Sequence, residues 1–482
     1  MLFLHELLKD WPCLFEGEHL RIEIHGVTEH SGRVEPGFLF IARKGGREDG
    51  LAYIKEAVRL GAAAIVLDRE LPQGVSVNIP LITVPNCLPF LAYVSARLAG
   101  NPSERMTVIA VTGTNGKTTV THFIGQLLKS AGKKTAVIGT LGLFIDGQPI
   151  RYNMPKMTTL PAEYLHPLLK KCEAQKVTHI VMEASSLGLS MDRLSFCEMD
   201  VGVLLNVSED HYDEHGSKAA YIQAKRKIIP MVNALIVNCD DPTCMEMVGE
   251  TKNNVMYFGK ADIADVQLCA NKGKPCIKTV AGQYALTYQA TEEFNRMNAI
   301  AAISTLSVLS FPYEKISRAV GRLTLPEGRM QRIDNEGVTV IIDYAHTPDA
   351  LKLVLETIAT TCSGDLIAVF GCGGNRDKGK RKKMGEVAGQ YAKKVIITSD
   401  NPRDENPLQI IDEIVSGIHT TTTPYEIEVD REKAIQLAVT NAKKGDTIVI
   451  AGKGHEKTQE INNQILRFSD YEIVKGIWYD TI

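Results

Sequence analysis

The stretch Val108–Val120, "VIAVTGTNGKTTV", reads as a β-branched strand, a glycine-bearing turn and a Lys-Thr-Thr that opens a helix. Backbone N–H groups of such a turn, together with the helix N-terminus, surround phosphate oxygens. Gly113, Thr114, Asn115, Gly116, Lys117, Thr118 and Thr119 are therefore candidate ATP contacts. Lys117 would reach the β- and γ-phosphates, and the Thr118 hydroxyl would reach Mg²⁺. The generic phosphate loop has a glycine five residues before the Gly-Lys pair, and Val111 stands there instead. Gly113 and Gly116 must then shape a tighter turn.

The same alternation of short β-branched runs and longer helical patterns extends in both directions and predicts an α/β fold with parallel sheets. Upstream, "GFLFIAR" and "AAAIVL" read as strands around the helix "LAYIKEAVRLG", which ends on Gly61. The polar link "NPSERM" (101–106) separates that unit from the one holding the phosphate turn. Beyond "LTLPEGRMQRI" (323–333) a further run begins with "VTVIIDYA" and continues through "LIAVFGC", "KKVIITSD" and "DTIVIAGKG". The expected domains are 1–104, 105–331 and 332–482. Ligands of open α/β sheets sit beyond the carboxyl ends of strands, so those ends carry the candidate site.

Composition narrows the class. The chain of 482 residues has 44% hydrophobic and 23% charged residues and a formal net charge of −3, which suits a soluble multidomain protein. No basic footprint calls for nucleic acid, and the segment "RDKGKRKK", with no interleaved aromatics, reads as a solvated loop or the rim of an anionic-substrate site. The uncharged span Leu71–Ala96 holds four prolines and reads as strand and turn, not a membrane helix. The start "MLFLHELLKDW" lacks a signal-peptide plan. Ten cysteines without a C-x-x-C pair point to reduced thiols in a cytoplasm. The expected partners are small molecules, for a monomer or weak oligomer.

From "TGTNGKTT" onward the chain resembles the Mur ligase family, enzymes that join an amino acid or peptide to a carboxylate at the expense of ATP. "VMEASS", "NVSEDHYDEHGS", "YIQAK", "FNRMNAIAA", "GRMQR", "DYAHTPDAL", "FGCGGNRDKGKR", "DNPRDE" and "AGKGHE" follow in that family's order. Their combination is similar to the MurE branch, which adds the third residue of the peptidoglycan stem peptide. The resemblance implies an N-terminal UDP-binding domain, a central P-loop domain with a parallel sheet and a C-terminal Rossmann-like domain. It also implies that Glu183 and His211 bind Mg²⁺ with Thr118, and that Lys225 is carbamylated. By residue type alone, Lys225 reads as a solvated helix lysine. Asn295, Arg329 and Asp343 match nucleotide-binding positions, while Thr158, Thr159, Ser185 and Arg193 match the acceptor site.

"SDNPRDENP" (399–407) follows the apolar run "KKVIIT" and places an arginine among carboxylates and amides. Members of the branch that use meso-diaminopimelate carry "DNPR", whose arginine takes the distal carboxylate, and lysine-using relatives do not keep it. An arginine pairs bidentately with a carboxylate and repels an ammonium. The resemblance therefore assigns Arg376, Asp400, Asn401, Arg403, Gly452 and Glu456 to the amino acid, with Glu456 taking its distal ammonium.

The N-terminal region departs from the family. The usual aspartate-serine-arginine of the uridine site is replaced by His30-Ser31-Gly32, with Ser31 the candidate contact that survives. The threonine pair runs on as "TTLP", and Leu187 stands where the family has histidine. Two readings follow: a muramyl dipeptide acceptor with Arg33 compensating, or a divergent paralogue using another carboxylate.

Overall fold

The computed structural model describes every residue except 1, 17–20, 47, 72–76, 209–211, 250, 252, 289, 291 and 480–482, and the side chains of Tyr212 and Asp213. Among the described residues, three large sheets succeed one another along the chain. The first has five strands in the spatial order Leu14–Glu16, Leu81–Thr83, Ala64–Leu67, Phe38–Ile41, Gly26–Thr28, parallel except at its first edge. The largest has eleven. Its middle is parallel, with Thr107–Thr112 lying between His179–Glu183 and Met199–Leu204. The last has six, with Val338–Asp343, Thr447–Ala451, Leu366–Phe370 and Lys394–Ile397 adjacent and parallel.

Residue alternation along the central strand explains its burial on both faces. Val108 and Ala110 join one apolar cluster, and Ile109 and Val111 join the other. The helix Lys117–Ser130 packs on the second face through Val120, Phe123, Ile124, Leu127 and Leu128, the three- and four-residue spacing of one helical stripe.

Three expectations need correction. The span Leu71–Ala96, read as strand and turn, contains a strand at Leu81–Thr83 but then enters the helix Cys87–Ala99. Pro89 is tolerated because it falls in the first turn, where backbone N–H groups have no intrahelical partner. The thiols are not all reduced: Cys269 and Cys276 face each other across an antiparallel hairpin with Cα atoms 5.0 Å apart and form a disulfide. The basic segment is not wholly solvated, since Arg381 is fully buried and bonds to Glu405 and Glu413. Among the described residues no helix is long and apolar enough to cross a membrane.

A buried ion pair ties part of this scaffold together. Arg431 and Asp470, both fully buried, pair bidentately at 2.8 Å, and the guanidinium also donates to the Ala451 carbonyl at 2.9 Å. The pair thereby anchors the carboxyl end of the strand Thr447–Ala451. Asp470→Asn leaves the arginine without its counter-charge and should cost about 3–5 kcal/mol in chemical denaturation. His166 is held neutral because burial pushes its pKa down to about 4, the Ser195 backbone opposing the shift. Below the ordinary histidine value the unfolded chain takes up a proton that the folded chain refuses until about pH 4. Stability should therefore fall with pH in that window. Between pH 6.5 and 4.5 the loss should be about 2–3 kcal/mol larger than in His166→Leu, measured by denaturation at each pH.

Candidate active site

The strand Thr107–Thr112 keeps its sheet register to the end, Val111 pairing with Glu183 and Thr112 with Leu204. The residue that replaces the generic glycine is thus part of the sheet, and the loop proper is Gly113–Gly116. Gly116 has φ +88°, and a Cβ there would lie 2.7 Å from Asn298 Oδ1, so both conformation and space require glycine. A Cβ on Gly113 would lie 2.9 Å from Leu205 Cβ. The loop is pinned to the neighbouring strand end. Thr114 N–H donates to Asn206 O (2.9 Å) and Asn115 N–H to Asn206 Oδ1 (2.8 Å). Lys117 Nζ donates to the Gly113 and Thr114 carbonyls at 2.8 and 2.9 Å.

Glu183 ends its strand beside this loop and is 2% exposed. Its Oε1 accepts from Thr118 Oγ1 (3.0 Å) and Thr140 N–H (2.9 Å), and its Oε2 accepts from Thr140 Oγ1 (3.1 Å). No cationic side chain pairs with it among the described residues. A buried carboxylate met only by neutral donors suits a bound cation. His211, its expected companion, lies outside the described residues. Lys225, in the helix Lys218–Arg226, is buried, with Nζ 4.7 Å from the Tyr221 ring centre. The Tyr221 hydroxyl in turn lies 2.9 Å from Thr114 Oγ1.

A cleft of about 370 Å³ opens from this loop towards the last sheet. Its near wall holds Thr114 to Thr119, Thr158, Glu183 and Asn295. Asn295 is 2% exposed, and its Nδ2 has no hydrogen-bond partner among the described residues. Such an orphaned donor fits a ligand acceptor. Arg329 bridges the walls: Nη2 donates to Thr118 Oγ1 (3.2 Å), and its guanidinium stacks 4.3 Å over Tyr344. Asp343 is spent on the connecting backbone, accepting from Met330 N–H (2.7 Å) and Ala345 N–H (2.8 Å). Burial raises its pKa above the ordinary range, against the opposing pull of Arg329.

The far wall carries Arg376, Asp400, Asn401, Arg403, Gly452 and Glu456. Asn401 Nδ2 donates to Glu456 Oε2 at 2.9 Å. Arg376 pairs with Glu214 at 2.8 Å, linking the last domain to the central one. Glu405, in the same loop as Arg403, is held down to about pKa 2, chiefly by its hydrogen bonds from Arg381.

Several expected acceptor residues do not line the cleft. Thr159 Oγ1 donates to Glu183 O (2.9 Å) and accepts from Ser185 N–H (2.8 Å). Ser185 Oγ caps the helix Ser186–Ser190 through Gly188 N–H, and Arg193 Nη1 donates to Thr159 O at 2.8 Å. These residues brace the Glu183 strand end from behind. Ser31 is nearly buried in a turn of the first domain. Arg33 is already engaged, 2.9 Å from Glu163 and 3.9 Å over the Tyr164 ring.

Two residues escaped the sequence reading. Thr140 orients both oxygens of Glu183 but lies in "GTLGL", which has no chemical signature. Lys453 is fully buried, and its Nζ bonds Asn401 Oδ1 (3.0 Å) and Glu456 Oε2 (2.8 Å). A lysine between two glycines of "GKGHE" gives no sign of burial.

Three family domains match the chain: "Mur ligase family, catalytic domain" at residues 23–97, "Mur ligase middle domain" at 111–306 and "Mur ligase, glutamate ligase domain" at 328–454. The chain is 37% identical over 466 residues to a UDP-N-acetylmuramoyl-L-alanyl-D-glutamate–2,6-diaminopimelate ligase of Caldanaerobacter subterraneus subsp. tengcongensis, covering 95% of each. A solved structure of a ligase with that same name superposes with a TM-score of 0.68 at 32% identity, covering 99% of this chain and 98% of the other. A MurF ligase from Thermotoga maritima in complex with ADP shares the fold, with a TM-score of 0.60 at 22% identity over 89% of this chain and 93% of that one.

Lys453→Met removes the cation between Asn401 and Glu456. It should lower stability by about 2–3 kcal/mol in thermal or chemical unfolding, because Glu456 is then left without its ion pair in a half-buried site.

Proposed function

The chain belongs to the Mur ligase family, and we propose that it is an ATP-dependent, ADP-forming ligase adding meso-diaminopimelate to UDP-N-acetylmuramoyl-L-alanyl-D-glutamate in peptidoglycan synthesis. The observation that carries the reading is one cleft lined on one side by the phosphate loop and on the other by Arg403, Asn401 and Glu456. Whole-chain likeness to ligases of that name supports it. The working division of labour is 1–104 for the acceptor's UDP end, 105–331 for ATP and 332–482 for the amino acid. A cytoplasmic site of action, as a monomer or weak oligomer, fits soluble precursors.

Amide formation needs a leaving group on the acceptor carboxylate. The γ-phosphoryl of ATP passes to that carboxylate, giving an acyl phosphate and ADP. The diaminopimelate amine then attacks the acyl carbon and phosphate departs. Positioning and charge neutralisation dominate such transfers. The loop Gly113–Gly116 and the first turn of its helix hold the phosphates with N–H groups, and Lys117 adds a cation. Asn295 and Arg329 hold the nucleotide from the cleft's two sides, with Asp343 fixing the Arg329 segment. Thr118, Glu183 and His211 would hold Mg²⁺, which offsets charge on the phosphates when bound. Lys225 fits carbamylation by its place: it is buried in the helix whose Tyr221 reaches Thr114 of the phosphate loop, and a carbamate there would exchange a cation for an anion able to bind metal. Thr158 faces the acceptor from the cleft, while Thr159, Ser185 and Arg193 set the wall behind Glu183.

A second reading keeps the chemistry but changes the acceptor to another carboxylate. It is favoured by His30 and Gly32 in the altered turn around Ser31, and by Arg33 being occupied by Glu163 and Tyr164.

Phosphate release from ATP, with the muramyl dipeptide acceptor and bicarbonate present, should be fast with meso-diaminopimelate and negligible with L-lysine. Arg403→Ala should lower kcat/KM for diaminopimelate about 30-fold, equivalent to ~2 kcal/mol of lost charge-assisted pairing. ATP binding without turnover of this acceptor would favour the second reading.

A further inference from the structure

Arg403 adopts φ +53°, a left-handed conformation uncommon for a side-chain-bearing residue. Something must hold it there, and the strand Thr458–Ile461 does so. Arg403 N–H donates to Glu460 O at 3.1 Å, and Asn462 N–H donates to Arg403 O at 2.8 Å. Glu460 N–H donates to Asn401 Oδ1 at 3.0 Å, and Glu460 Oε2 accepts from Arg403 Nε at 3.1 Å. One residue therefore fixes the Arg403 backbone, the Arg403 side chain and the Asn401 amide together.

Resting on the proposed amino-acid specificity, we propose that Glu460 is a positioning residue that presents Arg403 end-on to the distal carboxylate of the amino acid. A guanidinium can meet a carboxylate through its Nε–Nη2 edge or through its Nη1–Nη2 end. Glu460 occupies Nε and so closes the first mode. Nη1 gives one hydrogen to Gly374 O at 2.7 Å and keeps another, while Nη2 has no partner among the described residues. The end-on fork is what remains for a ligand. The ammonium of the same amino acid would meet Glu456, which Asn401 orients at 2.9 Å. The Glu460 backbone N–H also bonds Asn401, which Lys453 holds as well, so the strand and the buried lysine together set the spacing between the cation and the anion that read the substrate. Lysine keeps the distal ammonium for Glu456 but lacks the distal carboxylate, so it gains nothing from Arg403.

Glu460 is partly exposed, so its replacement should leave the fold intact, and thermal unfolding of each variant checks that. Steady-state kinetics should be compared for wild type, Glu460→Ala and Glu460→Gln, with diaminopimelate varied. Glu460→Ala should raise KM for diaminopimelate about tenfold, leave kcat and the KM for ATP within twofold, and narrow the preference over L-lysine by a similar factor. Glu460→Gln retains an oxygen acceptor for Nε and should recover most of that loss. An unchanged KM in Glu460→Ala, with Arg403→Ala impaired, overturns the positioning role alone. Equal defects in both Glu460 variants would also overturn it, pointing to charge in place of orientation. A wild type that turns over no diaminopimelate overturns the substrate reading and this inference with it.

Discussion

The Thr118 hydroxyl is where the molecule's parts meet. It donates its single hydrogen to Glu183, at the carboxyl end of a central strand, and accepts from Arg329, on the segment leading to the last sheet. A hydroxyl can do both at once, which a methyl or a carboxylate could not. Through it the first turn of the phosphate-loop helix, the Glu183 strand end and the segment leading to the last sheet are fixed relative to one another. The cleft is defined by that junction.

Around it, polar groups are arranged in layers that leave few orientations free. Thr140 holds Glu183 from one side, and the Thr159–Ser185–Arg193 knot holds its backbone from behind. On the far wall, Lys453 sits beneath Asn401 and Glu456, and Arg381 clamps the loop that carries Arg403 through Glu405. Buried charges of this kind are costly unless paired; Lys453 is paired with Glu456 on the cleft wall, and Arg381 with Glu405 and Glu413 behind it. Rigidity of this sort favours a site that aligns three substrates and neutralises phosphate charge, since misalignment of the amine would waste the activated carboxylate.

The first domain is joined to the second by polar contacts at the altered turn. Arg33 spends its charge on Glu163 and stacks on Tyr164, while the Glu29 backbone also donates to Glu163 at 3.2 Å. Burial raises the Glu163 pKa, with Thr28 and Arg33 pulling against it. An arginine so engaged braces a domain junction through one of its guanidinium nitrogens. The departure visible in the sequence at His30-Ser31-Gly32 thus has a structural counterpart in how the domains are tied.

Local order determined much of this protein without the fold. The strand, turn and helix of "VIAVTGTNGKTTV" dictate a phosphate loop because backbone geometry and helix ends act over a few residues, and Gly116 adopts the positive φ such a turn needs. The motif order sufficed for the family, and "DNPR" for the residues that share a wall of the cleft. What the sequence left open was decided by packing at a distance. Lys453 and Arg381 look like surface cations and are fully buried. Lys225 reads as a solvated helix lysine and is buried. Thr159 and Arg193, which match the acceptor site by resemblance, also bond the protein's own backbone. Whether a charged or hydroxylated side chain serves a ligand or its own scaffold depends on which carbonyls and carboxylates arrive beside it, and for these residues most come from segments tens of positions away.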